Sequence, residues 1–174
     1  ILTMNIKQQA REIGKAWRVG HIEAGQNVDA ASYDQHEDAE LSYTIGIAGE
    51  LCFARKYGLE VDTAVRPFGD GGKDFTVNMN GEDLTIDVKT YLKPCNLLIK
   101  EADMHQCADV LVLAKYTDLG EDCRIEFLGW ETRDVMRVMP VREFSSLKIP
   151  NRYRHSLLLR PMWKLEKIIV SEFM

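Results

Sequence analysis

Three charged residues, Asp74, Asp87 and Lys89, flank a short segment that has the pattern of a β-hairpin. Two carboxylates held about 5 Å apart across a strand pair repel each other, and Mg²⁺ or Mn²⁺ relieves the repulsion by accepting an oxygen from each. Lys89 follows Asp87 by two positions, so both side chains point to the same side of a strand. A metal bound by carboxylates beside an ammonium group is suited to phosphodiester hydrolysis, which needs an activated water and stabilisation of phosphate charge.

The residues between the two aspartates predict the pairing that brings them together. Asn80-Gly81 separates two alternating runs and is the strongest short-range indication of a two-residue turn, because both positions need positive φ. In that register Asp74 faces Asp87. The residues predicted to share the apolar face are Phe75, Val77, Leu84, Ile86 and Val88. A slip of one residue would mix the two faces. An alternative remains open, in which the polar face meets solvent and Lys89 pairs with one aspartate.

Glu50 is the only charged residue in the stretch 45–54. The stretch is otherwise apolar, which is typical of a buried helix, and a carboxylate there is costly unless it is paired or binds a metal. Gly46 and Gly49 lower helix propensity by about 1 kcal/mol each, which suggests that another backbone approaches closely. The alternative is that Glu50 ends a buried stripe and reaches a surface Arg or Lys.

The elements that must position these residues form a mixed α/β, or α+β, pattern. Helices are predicted at 5–19, closed by Gly20, and at 37–57, closed by Gly58, with a loop at 21–37 and a short helix at 131–138. Strands are predicted at 61–65, 75–79, 84–88, 110–113 and 124–128, with two further candidates at 156–159 and 165–170. The expected architecture is therefore a central sheet of about five strands flanked by helices.

Other features of the sequence carry weaker indications. The loop 69–73 lacks the Ser or Thr and the helix of a phosphate-binding loop, although Asp70 could compete with Asp74 as a ligand. The four histidines and four cysteines have no metal-site spacing. The chain has no apolar run long enough to cross a bilayer, so an intracellular, cytoplasmic protein is expected.

Positive charge is concentrated near the carboxyl end. Segment 140–170 has a net charge of +5, whereas the whole chain has −5. A basic surface of this kind attracts the phosphates of DNA, although solvated basic side chains on an ordinary surface are an equally good interpretation. The residues predicted to contact DNA are Arg142, Lys148, Arg152, Arg154 and Arg160.

These residues resemble the PD-(D/E)XK nuclease superfamily, which includes many restriction enzymes and recombination nucleases. Gly49-Glu50 matches the acidic helix of that family, Asp74 matches its first strand aspartate, and Asp87-Val88-Lys89 matches its (D/E)-x-K tripeptide. The resemblance covers about residues 38–115. Lys73 replaces the nominal proline, and the motifs of the RecB-like and iron–sulfur branches are absent from the sequence.

The resemblance implies a restriction-endonuclease-like fold and a Mg²⁺-dependent deoxyribonuclease, with Mn²⁺ able to substitute. In that interpretation Asp74, Asp87 and Glu50 bind the metal, Lys89 positions the water, and DNA is the partner. The chain would be a single nuclease-like domain over 1–174, with its core at about 38–130, and it leaves room for a homo-oligomer. Two alternatives stay open, namely a catalytically inactive binding module with this fold and a metal-dependent phosphohydrolase of small molecules.

Overall fold

Two long helices open the fold in the computed structural model, which describes residues 5–25, 39–64, 72–144 and 148–170. Helix α1 (Ile6–Glu23) begins after Asn5, whose side chain accepts a hydrogen bond from the Gln8 N–H at 2.8 Å, as an N-cap does. Helix α2 (Ala39–Tyr57) ends before Gly58, whose φ of +67° is the left-handed cap expected there.

The end of α1 corrects the prediction that Gly20 closes the first helix. Glycine lowers helix propensity but does not stop a helix whose last turn has tertiary contacts. His21 lies in that turn, and its Nδ1 is 2.6 Å from the Tyr43 hydroxyl of α2. The helix therefore continues to Glu23, and the predicted loop starts later. Residues 26–38, which hold the rest of that loop and the predicted start of α2, lie outside the described residues.

The strands form two sheets. They are β1 (Phe75–Met79), β2 (Glu82–Tyr91), β3 (Asn96–Lys100), β4 (Val110–Asp118), β5 (Cys123–Thr132), β6 (Val141–Glu143) and β7 (Pro150–His155). A four-stranded mixed sheet has the order β1-β2-β4-β5, and an antiparallel sheet has the order β3-β7-β6. In the larger sheet β2 is antiparallel to β1 and parallel to β4. The mixed α/β class is confirmed, and the central sheet has four strands within the described residues, where about five were predicted.

Three predicted strands differ in the structure. Residues 61–64 are not a strand, and Val65 lies outside the described residues. Ser156–Leu158 is a 3₁₀ turn, and the predicted strand at 165–170 belongs to helix α4 (Met162–Val170). Leu165 and Ile169 are both fully buried, and their spacing of four places them on one side of a helix.

The end of β5 and the smaller sheet were also incompletely predicted. The short helix expected at 131–138 is α3 (Arg133–Arg137), which begins after Thr132, and Glu131 belongs to β5. Strands β3, β6 and β7 had no clear pattern in the sequence. β3 and β7 are far apart in the chain, so no local turn indicates that they pair.

The four-stranded sheet is covered on both faces. Phe53 of α2 and Leu165 of α4 pack on one face, whereas Leu97 of β3 and Met136 of α3 pack on the other. Helix α1 packs on the outside of α2 around Ala10. Two polar side chains in the second half of β2, Asp87 and Thr90, are consequently buried. None of the described helices has the length and apolar character needed to cross a membrane.

Candidate active site

The β1–β2 hairpin has the register predicted from the sequence. Phe75 pairs with Ile86 and Val77 with Leu84, and the turn places Asn80 at a φ of +53° and Gly81 at +91°. Positive φ at both positions is the geometry that matches the twist of a two-residue hairpin. The predicted apolar face is confirmed as a core face, because four of its five residues are buried and Leu84 is half-buried against them.

Asp74 lies just before the start of β1, at a level where β2 continues beyond the strand pair. The strand pair closes at Phe75 and Ile86, yet β2 extends to Tyr91, so its edge beyond Ile86 is not covered by β1. The N–H of Asp74 donates to the Ile86 carbonyl at 2.9 Å, and Asp74 Oδ2 accepts the Val88 N–H at 2.6 Å. The Asp74 carboxylate therefore accepts a hydrogen bond from a backbone N–H of β2 that β1 does not pair with, and this bond holds Asp74 at the edge of the sheet.

Asp87 and Lys89 form a close ion pair on β2. Lys89 Nζ lies 2.7 Å from Asp87 Oδ2, and the Asp87 side chain is only 4% exposed while that of Lys89 is 33% exposed. Burial lowers the pKa of Lys89, but the carboxylates of Asp87 and Asp74 outweigh it and hold the pKa above its ordinary value. The two carboxylates therefore favour the charged form of Lys89.

Glu50 reaches the same region from α2. The preceding residue, Gly49, packs so closely on β2 that a Cβ added to it would lie 1.9 Å from Thr90 Oγ1, whereas one added to Gly46 would meet nothing within 4 Å. The close approach inferred from the two glycines is thus confirmed for Gly49 and wrong for Gly46. This contact holds the half-buried Glu50 beside the strand that carries Lys89.

The carboxylates influence one another electrostatically. Burial, followed by the charges of Glu50 and Asp87, raises the pKa of Asp74 well above its ordinary value. Lys89 and the Val88 N–H offset only part of this effect. Glu50 and Asp87 thus both act on Asp74, and Lys89 interacts with Asp87 and Asp74. A divalent cation would reduce the repulsion among the three carboxylates.

The donor set fits a hard cation by chemistry, because it offers carboxylate oxygens and no sulfur or imidazole. The three carboxylates are less closely grouped than the ligands of a bound metal ion. Within the described residues, no group of three His, Cys, Asp or Glu side chains gathers tightly enough to hold one ion. Asp87 Oδ2 forms an ion pair with Lys89, and Asp74 Oδ2 accepts a hydrogen bond from the Val88 N–H. Chelation by Glu50, Asp74 and Asp87 together would require side-chain movement.

A cleft of about 310 Å³ borders Asp74. Glu60, Asp62, Lys73 and Thr76 contribute to its walls. Lys73 and Thr76 were not singled out as site residues by the sequence. Gly72 approaches Asp87 from the same side, since a Cβ added to it would lie 3.8 Å from Asp87 Oδ2. Asp70, the predicted competitor of Asp74, lies outside the described residues.

Most of the predicted DNA-contacting residues already have acidic partners. Arg152 forms a two-pronged pair with Glu101 at 2.5 and 2.7 Å. Arg154 and Arg160 both bind the buried Glu131, at 3.0 and 2.8 Å.

Arg142 and Lys148 are exposed, and no carboxylate among the described residues forms an ion pair with either. Arg142 lies over the Tyr153 ring, with 5.9 Å between its guanidinium carbon and the ring centroid. Of the five basic residues predicted to contact DNA, Arg142 and Lys148 are therefore the most accessible to a phosphate backbone.

The site is thus built from α2, the start of β1 and the uncovered edge of β2. Comparison of the chain with protein-family models, with curated proteins and with solved structures found no match.

Proposed function

We propose that this protein is a Mg²⁺-dependent nuclease that hydrolyses DNA phosphodiester bonds at Glu50, Asp74, Asp87 and Lys89. The observation that carries the proposal is the electrostatic cluster at the start of β1. There, Glu50 and Asp87 both raise the pKa of Asp74, and Lys89 is ion-paired to Asp87. A protein has little structural reason to hold three carboxylates together at this cost, and such clusters are typical of catalytic sites.

Asp74, Asp87 and Glu50 would hold Mg²⁺ or Mn²⁺, which when bound supplies Lewis-acid stabilisation of the charged phosphate oxygens. Lys89 remains protonated, so its Nζ donates hydrogen bonds to the attacking water and to a phosphate oxygen rather than accepting a proton. The water oxygen bonds to phosphorus and releases a proton to solvent as the ester P–O bond breaks, and the leaving oxygen takes a proton from solvent.

DNA would reach this site along the basic carboxyl-terminal surface. Arg142 and Lys148 would contact backbone phosphates directly, because neither has an acidic partner among the described residues. Arg152, Arg154 and Arg160 would contribute mainly to the local potential, since Glu101 and Glu131 already neutralise them.

The test is cleavage of supercoiled, linear, single-stranded and branched DNA in Mg²⁺, Mn²⁺ or EDTA. We expect metal-dependent cleavage that falls at least about 100-fold in Asp87→Asn and Lys89→Ala. Glu82→Gln, which removes an exposed charge from the same hairpin, should retain full activity and serves as the matched control. Cleavage that survives both active-site substitutions, with folding verified by circular dichroism, would remove this mechanism.

A second candidate is a metal-dependent phosphohydrolase of small molecules. It is favoured by the cleft of about 310 Å³ beside Asp74 and by the internal pairing of three basic residues. Hydrolysis of nucleotides or sugar phosphates without cleavage of any DNA would support it. Mg²⁺ binding with no hydrolysis of either substrate class would instead indicate the catalytically inactive module.

A further inference from the structure

Helix α4 presents an aromatic and basic surface on the side opposite the core. Its inward residues, Leu165 and Ile169, are fully buried against the four-stranded sheet. Its outward residue Trp163 is 52% exposed. The ammonium groups of Lys164 and Lys167 lie 5.5 and 4.9 Å from the centroid of the Trp163 ring. The surface therefore combines an exposed aromatic ring with two positive charges next to it.

The one carboxylate of α4 does not neutralise these lysines. Glu166 lies 2.7 Å from the Nζ of Lys56 on α2, and it also accepts the Tyr57 hydroxyl at 3.2 Å. No carboxylate among the described residues forms an ion pair with Lys164 or Lys167. The outward surface of α4 is therefore positive, although the chain as a whole is acidic.

We propose that Trp163, Lys164 and Lys167 form a binding surface for single-stranded DNA. A base would stack on the Trp163 ring, and the two ammonium groups would bind the flanking phosphates. A single strand is favoured over a duplex because only unpaired bases expose a face for stacking. A lysine over an exposed ring is weakly held, so it can exchange the ring for a phosphate when a base arrives.

A membrane surface fits these residues less well. Helices that lie on membranes insert a broad apolar face, whereas the apolar face of α4 is already buried in the core. Trp163 alone offers too little apolar area for that role. The inference also does not depend on the proposed cleavage, because binding can be measured in EDTA with no turnover.

The test is fluorescence anisotropy of a labelled oligothymidylate of about 15 nucleotides in EDTA. We expect Trp163→Ala to weaken binding at least about fivefold, and Trp163→Phe to retain most of the affinity. Lys164→Ala with Lys167→Ala should lower the magnitude of the slope of log affinity against log salt by about 1.4, as expected for two lost phosphate contacts on a single strand.

The control removes the same net charge from α1, by Arg11→Ala with Lys15→Ala, whose side chains both lie within 4 Å of Glu40. Equal losses in the control and in the α4 variants would overturn the proposal, because they would reflect net charge alone. Unchanged affinity in the α4 variants would also overturn it. So would Lys164- and Lys167-dependent binding to anionic phospholipid vesicles without binding to the oligonucleotide. Loss of DNA binding in Lys89→Ala would bear on the nuclease proposal and not on this surface.

Discussion

Asp74 has a carboxylate whose charged form is disfavoured by its surroundings. Burial and the nearby Glu50 and Asp87 raise its pKa, so at neutral pH the folded protein bears the cost of keeping it ionised. The Val88 N–H and Lys89 reduce that cost but do not remove it. Such a residue is explained more readily by function than by stability, since catalytic sites often hold groups that destabilise the fold.

We therefore expect Asp74→Asn to stabilise the protein in EDTA and, if the proposed nuclease activity is present, to abolish it. The amide keeps an oxygen that can accept the Val88 N–H, but it removes the repulsion with Glu50 and Asp87. Each kcal/mol gained in the free energy of unfolding would raise Tm by about 2–4 °C for a chain of this size. Calorimetry in EDTA measures the shift.

Glu82→Gln is the control for Asp74→Asn, because it removes an exposed acid of the same hairpin and should change Tm by little. A lower Tm in Asp74→Asn, with Glu82→Gln unchanged, would contradict this account of the cluster. It would indicate that the negative charge of Asp74 stabilises the fold through Lys89.

The contact between α2 and β2 determines where Glu50 lies. Gly49 meets Thr90 so closely that any side chain at position 49 must push the helix away from the strand. The Thr90 hydroxyl is buried and has no hydrogen-bond partner in the described structure, so the site tolerates a cost to keep this approach. Helix and strand are thus brought together by two residues that lie next to the proposed catalytic ones.

Gly49→Ala and Gly46→Ala should have opposite effects on stability. Gly49→Ala should cost about 1–3 kcal/mol through overpacking, and it should weaken Mn²⁺ binding because Glu50 is displaced. Gly46→Ala has open space around its Cβ and should gain up to about 1 kcal/mol from helix propensity. Urea unfolding and calorimetric Mn²⁺ titration measure the two properties. Equal stability of the two variants would show that the Thr90 contact is not restrictive.

Asp109, the residue before β4, connects that strand to the hairpin through hydrogen bonds to Thr85 of β2. Its Oδ2 accepts hydrogen bonds from the Thr85 N–H at 3.0 Å and the Thr85 hydroxyl at 2.6 Å, and its Oδ1 lies 2.7 Å from Arg133. Burial raises the pKa of Asp109, but these hydrogen bonds and the Arg133 charge outweigh it, so the net shift is downward. The ionised form is therefore favoured more in the folded than in the unfolded chain.

Asp109→Asn should lower stability by about 1 kcal/mol at pH 7. The pKa of Asp109 is lower in the folded chain than in the unfolded chain. The extra stability of the wild-type protein over Asp109→Asn is therefore complete above the unfolded pKa of about 3.9, and it is lost as pH falls through the lower folded pKa. Urea midpoints at pH 7 and at about pH 2.5 should show the gap narrowing. Asp134→Asn, at a side chain that is 85% exposed, is the control and should show little difference at either pH. A gap that is equal at both pH values would rule out the ionised carboxylate as its source.

The two sheets are joined through the buried Glu131 of β5. Its carboxylate binds Arg154 of the smaller sheet and Arg160, whose backbone bridges to Trp130. Gly129 permits this crossing, since a Cβ there would lie 2.7 Å from Leu159 Cβ. Residues that the sequence suggested for DNA contact therefore also secure the carboxyl-terminal segment to the sheet.

Glu131→Gln should destabilise the protein by about 2 kcal/mol or more, because it leaves two arginines facing a buried neutral group. Glu101→Gln breaks a more exposed pair with Arg152 and should cost about 1 kcal/mol or less. Thermal unfolding measures both, and limited proteolysis should cut the segment after β5 earlier in Glu131→Gln. Equal stability of the two variants would mean that Glu131 does not join the sheets.

The features predicted correctly are those that short-range rules control. The Asn80-Gly81 turn sets the register of the hairpin, and alternation of apolar residues chooses its inner face. Gly58 ends α2 because its left-handed conformation satisfies the last carbonyls of a helix. Asp74 lies one residue beyond the last pair of that register and hydrogen-bonds to β2 at Ile86 and Val88, so its nearness to β2 was accessible from the sequence. The predicted pairing of Asp74 with Asp87 is not part of the observed register.

The rest depends on contacts between distant parts of the chain. The run at 165–170 is apolar enough for a strand, and only packing of Leu165 and Ile169 on the sheet makes it a helix. No local turn indicates that β3 pairs with β7, because the two strands are far apart in the chain. Arg154 and Arg160 have the composition of a DNA-contacting surface, and it is the folded chain that places both against Glu131. Alternation and turn chemistry act over a few residues, whereas the partner of a buried charge is chosen by how the sheets and helices pack.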